Sequence, residues 1–199
     1  MKRAQLHEAV ADERRALIED LARLNHGDWE RPSLCDAWSV RDVVGHLIRL
    51  ESVYRYSAPF FLGLARYGLR LNTYIREDAR RRASGAATDE LLDALSKTRY
   101  ETAPFAAWHP IAAVPLSELV VHGQDIRIPL GRTRAFDVER LVPVANLLKR
   151  RLGVIGKGGR PSDVRFEASD ADWSWGKGQV VRAPLASIVI RLAGRRVED

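Results

Sequence analysis

The chain contains very little sulfur. Of its 199 residues only one is cysteine, Cys35, and only one is methionine. A single cysteine excludes an intramolecular disulfide and any zinc site built from several thiolates. Cys35 itself is most simply a small buried hydrophobic residue, and a catalytic thiol is the alternative. If thiol chemistry takes place here, we therefore expect the thiol to arrive with a cofactor.

The sequence also lacks long hydrophobic runs. The longest apolar stretch, residues 56–64, contains Pro59 and lies between Arg55 and Arg66. It is too short and too interrupted to span a membrane. The first residues lead into alternating charges and not into the apolar core of a signal peptide. We therefore expect a cytoplasmic protein with no membrane partner.

Nucleic-acid-binding signatures are missing, although the net charge is +6 and the pI is near 9.8. Arginine-rich runs such as residues 80–82 and 149–151 are interleaved with acidic stretches, and no zinc-finger or RNP motif occurs. The sequence has no phosphate-binding glycine loop, dinucleotide fingerprint or nucleophile elbow. An arginine-rich background or an anionic small substrate explains the charge, and we predict no nucleic-acid partner.

The first three quarters of the chain have the periodicity of amphipathic helices. The composition, 46% hydrophobic and 29% charged, is ordinary for a globular domain with a real core. Apolar spacing and capping residues predict helices over residues 3–25, 39–54, 60–82, 88–95, 115–128 and 137–152. Gly27 is the predicted stop after the first helix. Residues 1–152 are therefore expected to form a helical bundle.

From Gly153 onward the pattern changes to short strands. The alternation predicts a strand over residues 164–168, a hairpin loop over 170–178, a second strand over 179–182 and a closing helix from Pro184. A β-β-α tail this short cannot bury much surface alone. We therefore expect residues 153–199 to form a small α/β appendage whose Trp173 and Trp175 pack on the bundle.

Three metal-competent side chains fall on strongly apolar helices. Glu118 and His122 lie four residues apart, so both project from one helix face, and His46 lies on a helix far upstream. Two imidazoles, one carboxylate and an open fourth position are the pattern of a catalytic zinc site. A glutamate–histidine hydrogen bond inside the core would satisfy the same groups. The residues alone leave both interpretations open.

Two further carboxylates could orient the ligand imidazoles from a second layer. Asp42 precedes His46 by four residues, and Asp125 follows His122 by three. Helix capping is the alternative for Asp42, and the sequence favours it because Ser39 lies three residues before it. For Asp125 the alternative is an ion pair with Arg127.

Two long motifs resemble a known family. The stretch PSLCDAWSVRDVVGHL, residues 32–47, resembles the first metal-binding motif of the mycothiol-dependent maleylpyruvate isomerase family, which belongs to the DinB-like metalloenzyme superfamily. The stretch ELVVHGQDIRIPLG, residues 118–131, is similar to its second motif, and residues 172–195 are similar to the end of its C-terminal domain. The resemblance implies a mainly α fold, a DinB-like up-and-down four-helix bundle with a C-terminal α/β appendage. It also implies zinc, or another divalent metal, bound by His46, Glu118 and His122.

The resemblance implies a function as well. Mycothiol would be the thiol cosubstrate of an enzyme that isomerises or S-conjugates a small electrophile. The tail is short for the family's second domain, and Arg165 and Arg182 are the candidate substrate-binding residues in it, as carboxylate binders. A DinB-like metalloenzyme that does not use mycothiol and a non-catalytic metal-binding stress-response protein are the alternatives. The sequence leaves open whether the chain forms a homodimer.

Overall fold

Helices account for most of the described chain. The computed structural model describes residues 1–54, 58–99, 113–151 and 163–196. Along the chain its elements are α1 Arg3–Ala22, α2 His26–Trp29, α3 Val40–Tyr54, α4 Ala58–Arg66, α5 Leu71–Ala83, α6 Thr88–Lys97, α7 Val114–Arg127, α8 Val138–Arg151, β1 Val164–Ala168, β2 Ser174–Gly176, β3 Gln179–Ala183 and α9 Leu185–Leu192. The mainly α fold with a small C-terminal α/β part is therefore confirmed.

Four helices enclose the bundle core. Helix α1 packs against α6 and α7, and α3 packs against the same two helices, so the four form a closed ring. The apolar residues of α3 recur at helical spacing and are fully buried, as in Val43, Val44 and Leu47. Leu17 of α1 and Leu119 of α7 meet them in the same core. This burial explains why the periodicity predicted the bundle correctly.

Helix α5 packs on the outer side of α3 at very short range. A Cβ atom added at Gly45 would lie 2.5 Å from the backbone oxygen of Ala79, closer than real Cβ atoms approach. Only glycine therefore permits this approach of the two helices. Because Gly45 directly precedes His46, the contact fixes the backbone of α3 beside a candidate metal ligand.

The single helix predicted over residues 60–82 is wrong, because the structure breaks it into α4 and α5. Gly68 and Leu69 both adopt a left-handed backbone, with φ values of 60° and 62°. The Leu69 N–H donates to the carbonyl of Leu64, which is the bond of a Schellman cap. Gly68 is thus a helix stop that the apolar spacing of the segment concealed.

The predicted stop at Gly27 is also wrong. Helix α1 ends at Ala22, and Gly27 lies inside the short helix α2. The side chain of Asn25 caps α2 by accepting a hydrogen bond of 3.0 Å from the Asp28 N–H.

The C-terminal sheet has three strands in the order β2-β1-β3, not the predicted two-stranded hairpin. Strand β2 lies inside the predicted loop and pairs antiparallel with β1, whereas β3 pairs parallel with β1. Gly176 and Gly178 have φ values of 100° and 105°, which turn the chain between β2 and β3. Because β2 runs antiparallel to β1 and this turn reverses the chain again, β3 runs parallel to β1 and pairs with its opposite edge.

The sheet and α9 share one hydrophobic core with the bundle. Trp173 is buried, its Nε1 donates to Asn146 Oδ1 of α8 at 3.1 Å, and Trp175 is partly buried against the same core. Both tryptophans pack on the bundle, as predicted. The predicted division at residue 152 lies at the edge of residues 152–162, which are outside the described residues, and it stays a prediction.

Within the described ranges, no helix combines the length and the apolar character that crossing a membrane requires. The cytoplasmic location and the lack of membrane and nucleic-acid partners stay predictions.

Candidate metal centre

Helices α3 and α7 present the three predicted ligands to each other. A reciprocal capping box fixes the start of α3: the Ser39 N–H donates to Asp42 Oδ2 at 3.0 Å, and the Asp42 N–H donates to Ser39 Oγ at 3.2 Å. Pro115 lies in the first turn of α7, where its missing N–H costs nothing. One turn later Glu118 and His122 project from the face of α7 that packs on α3.

The candidate ligand atoms converge in the core. Glu118 Oε2 lies 3.2 Å from His122 Nε2 and 3.5 Å from His46 Nε2. One ligand atom from each residue lies within 4.8 Å of the others, and the two imidazole rings meet edge to face at 4.8 Å. The exposed fractions of His46 and His122 are only 6% and 9%. Two nitrogens and one carboxylate oxygen in so small a volume fit a divalent cation of the zinc type.

The charges of the cluster are set by burial and by hydrogen bonds. Burial lowers the pKa of His46 and outweighs the hydrogen bond to Glu118 that would raise it. Burial alone would raise the pKa of Glu118, but the hydrogen bonds to His122 and His46 hold it well below its usual range. Glu118 is therefore ionised, and His46 is neutral at neutral pH.

His122 differs from His46 because its second nitrogen has a charged partner. Its Nδ1 lies 2.8 Å from Oδ2 of Asp125, a carboxylate with no exposed surface. Burial would lower the pKa of His122, but the Cys35 sulfur and the hydrogen bonds to Asp125 and Glu118 raise it well above its usual value. In the metal-free site His122 is thus the imidazole that carries the proton.

Arg195, which lies three residues after the end of α9, completes this chain of contacts. Its Nε and Nη2 each donate to Asp125 at 2.8 Å, one to each carboxylate oxygen. Burial would raise the pKa of Asp125, but the hydrogen bonds from Arg195 and His122 lower it below its usual range. The sequence did not identify Arg195 as a site residue, since nothing in its local pattern signals a partner 70 positions away.

Cys35 belongs to the same group of contacts. Its thiol donates to Asp125 Oδ2 at 3.0 Å and accepts from Arg195 Nη2 at 3.2 Å, and its sulfur lies 3.6 Å from His122 Nδ1. The Leu34 N–H donates to the backbone oxygen of Asp125 at 3.0 Å, which ties this loop to α7. Cys35 is partly buried against the core, as the simpler interpretation expected, but its sulfur also has polar partners that this interpretation did not include.

The other predicted site residues have different positions. Asp42 is a helix cap, as favoured, and does not orient His46: the His46 Nδ1 has no hydrogen-bond partner among the residues that the structure describes. The alternative partner for Asp125, Arg127, instead donates to Asp20 at 2.7 Å. In the described part of the chain these two sets of contacts exclude the second-layer role for Asp42 and the Asp125–Arg127 ion pair.

Arg165 and Arg182 lie on the C-terminal sheet and are exposed. Arg165 donates to Glu167 at 2.8 Å and to Ser174 at 3.2 Å, so its guanidinium already has an anionic partner. Arg182 lies opposite Glu167 in the pairing of β1 with β3. Their role as carboxylate binders stays a prediction.

The fold and the cluster together define a helical bundle with a candidate three-ligand metal centre. Residues 10–127 match the family model described as the mycothiol maleylpyruvate isomerase N-terminal domain. The match covers more than half of the chain, so the chain belongs to this family. No curated protein matches it by sequence.

Two solved structures share the fold. One is a histidine-to-alanine mutant of the mycothiol-dependent maleylpyruvate isomerase, with a TM-score of 0.67 and 15% identity over 98% of this chain and 90% of that chain. The other is the mycothiol-dependent maleylpyruvate isomerase, with a TM-score of 0.51 and 17% identity over the same shares of the two chains. At these identities the likeness establishes the fold.

Proposed function

We propose that the chain is a divalent-metal-dependent enzyme that uses mycothiol as thiol cosubstrate and isomerises or S-conjugates a small electrophile. The observation that carries the proposal is the buried convergence of His46, Glu118 and His122 in a chain that belongs to this family. The names of the two solved structures support the same cosubstrate and reaction class.

The ion would be held by His46 Nε2, the Glu118 carboxylate and His122 Nε2. This donor set favours zinc, and nickel or iron also accept it. A bound divalent cation lowers the pKa of a coordinated thiol, which is otherwise about 8.5, so that thiolate is present at neutral pH. Thiolate is the form that attacks an electrophilic carbon.

The chain's own residues prepare the ligands for this task. Asp125 accepts the hydrogen bond of His122 Nδ1, so the lone pair of Nε2 would serve the metal once the metal replaces the Nε2 proton that faces Glu118. Arg195 keeps Asp125 ionised, because its two hydrogen bonds favour the carboxylate form. Buried apolar side chains of α3 and α7, such as Leu47 and Leu119, exclude water and so strengthen electrostatic interactions around the cluster.

Elemental analysis of the purified protein tests the metal. Wild-type protein should carry about one divalent ion per chain, and a His46→Ala, His122→Ala double variant should carry none. His26→Ala is the matched control, because His26 is exposed in α2, and it should keep the wild-type metal content. Equal metal in the wild type and the double variant would refute the metal centre and favour a non-catalytic protein.

Cobalt-loaded protein tests the thiol. Adding mycothiol, or a simpler thiol in its place, should produce a charge-transfer band in the near ultraviolet. The band should appear with Cys35→Ser protein as with the wild type, and should be missing with His122→Ala. If no thiol changes the cobalt spectrum at millimolar concentration, the chain is better described as a DinB-like metalloenzyme that does not use mycothiol.

A further inference from the structure

Trp38 forms a wall of the candidate metal centre. It directly precedes the capping box of α3, and its ring centroid lies 5.1 Å from that of His46 and 6.3 Å from that of His122. Both contacts are tilted, with interplanar angles of 42° and 41°. The indole is therefore a neighbour of both candidate histidine ligands at once.

Hydrogen bonds fix the backbone of Trp38 on both sides. Its N–H donates to the Cys35 carbonyl at 3.1 Å. Its carbonyl accepts from both the backbone N–H and the hydroxyl of Ser33, each at 2.9 Å. The loop that brings Cys35 to Asp125 thus also holds Trp38 against the imidazoles, so the position of the indole is built into the fold.

The indole N–H is a buried donor that lacks an acceptor. Trp38 Nε1 is shielded from solvent and has no hydrogen-bond partner within the described ranges of the chain. By contrast, Trp173 Nε1 donates to Asn146. Buried tryptophan N–H groups usually find a partner. An acceptor supplied by a ligand would explain why this donor, beside the cluster, is left without one.

The carboxylates of the site already have partners. Glu118 accepts from His46 and His122, and Asp125 accepts from His122, Arg195 and Cys35. A bound divalent ion carries two positive charges, and the Glu118 carboxylate balances only one of them. Asp125 and Arg195 neutralise each other, so the ligand cluster keeps an excess positive charge. The acceptor that this environment favours is therefore an anion.

We propose that Trp38 Nε1 donates a hydrogen bond to an anionic ligand, a thiolate sulfur or a carboxylate oxygen, bound beside His46 and His122 at the metal centre. The inference rests on the proposed function, because the excess positive charge requires the metal. Trp38 is thereby a binding residue for the cosubstrate or substrate. Hydrogen bonds from indole N–H groups to charged acceptors are stronger than those to neutral ones.

NMR of ¹⁵N-labelled, zinc-loaded protein tests the hydrogen bond directly. N-acetylcysteamine, a thiol without a carboxylate, and acetate, a carboxylate without a thiol, are added separately as probes. The Trp38 indole proton, assigned by its loss in Trp38→Phe, should shift downfield with at least one probe. The Trp173 indole proton should not move, because its acceptor is Asn146. Metal-free protein should show no shift with either probe.

A binding measurement gives the size of the effect. Trp38→Phe keeps an aromatic ring and removes the donor, so it should bind the active probe about tenfold more weakly. Its cobalt affinity should equal that of the wild type, and an unchanged Trp173 resonance reports that the variant is folded. If the variant does not fold, the Trp38 indole proton is assigned instead by its through-space contacts with the His46 ring, and its shift in wild-type protein decides the question.

Each outcome separates the inference from the function on which it rests. A thiol that changes the cobalt spectrum and shifts Trp38 supports both. If the thiol changes the cobalt spectrum but neither the thiol nor acetate shifts the Trp38 indole proton, the inference is overturned and the proposed function stands. A shift with acetate alone supports the donor with a carboxylate as its acceptor and counts against the thiol. If neither probe has any effect, both are overturned.

Discussion

The two helices that supply the candidate ligands hold their histidines in different ways. On α7, His122 Nδ1 is bonded to Asp125, which Arg195 and Cys35 contact in turn. On α3, His46 Nδ1 is buried without a partner in the described part of the molecule. An unpaired buried polar group costs about 1–3 kcal/mol. Both imidazoles contact Glu118 through Nε2, but on the Nδ1 side His122 is held by a charged hydrogen-bond partner and His46 by packing.

This difference shows that the C-terminal appendage is part of the site. The contacts behind His122 come from a loop before α3, from α7 and from the residue three positions after α9. The contact behind His46 is the close packing of α3 on α5 at Gly45. Loss of a charged group behind His122 should therefore alter stability and metal affinity, whereas loss of the Asp42 charge at the start of α3 should leave metal affinity close to that of the wild type.

The largest expected effect is on stability, in Arg195→Gln. The change leaves the fully buried Asp125 carboxylate without either of its arginine hydrogen bonds. Removing one partner of a buried ion pair costs about 3–5 kcal/mol. Urea denaturation of metal-free protein should show this loss in the free energy of unfolding. The neighbouring exposed arginine supplies the control, Arg196→Gln, which should unfold like the wild type. Equal midpoints for the two variants would contradict the role given to Arg195.

The next effect is on metal affinity, in Asp125→Asn. Loss of the carboxylate removes the charged acceptor of His122 Nδ1, and such changes behind a metal ligand cost about ten- to a hundredfold in affinity. Asp42→Asn is the matched control, because it also replaces a carboxylate by an amide, whose oxygen can still accept the hydrogen bond of the Ser39 N–H. Competition with a chelator measures both constants. If the two variants bind zinc equally well, the Asp125 carboxylate does not hold His122 in place for the metal.

Local pattern was sufficient to predict the bundle and the cluster on α7. The spacing of four residues places Glu118 and His122 on one helix face whatever the rest of the chain does, and the apolar flanks indicate burial. His46 lies on another helix, so its place beside them needed the motif resemblance. The helix stop at Gly68 was missed because the flanking apolar residues kept helical spacing across it.

The spacing of three residues predicted Asp125 behind His122, but the contacts of Arg195 and Cys35 with Asp125 could not be predicted, because they depend on tertiary packing. Arg195 reaches Asp125 only because α9 packs on α8 and α7. The alternative partner, Arg127, lies two positions from Asp125, and residues two apart on a helix do not face each other. In the same way, alternation identified β1 and β3 as strands but did not determine whether they pair parallel or antiparallel.

A smaller effect concerns the protons that the site releases when it binds the metal. In the metal-free protein the pKa of His122 is raised and that of His46 is lowered, so at neutral pH the metal displaces a proton from His122 alone. Affinity should rise with pH by at most about tenfold per unit, and flatten above the pKa of His122. Calorimetry in two buffers of different ionisation enthalpy should give about one proton released per ion. Release of two protons, or of none, would mean that the two histidines are equivalent.

The smallest expected effect is that of Cys35→Ser. The hydroxyl of serine can donate to Asp125 and accept from Arg195, as the thiol does. Asp125 also keeps its stronger, charge-assisted bonds to Arg195 and His122. Zinc affinity measured by chelator competition should therefore stay close to that of the wild type, as should the free energy of unfolding. A loss as large as that of Asp125→Asn would show that the sulfur itself, and not the ion pair beside it, holds His122 in place.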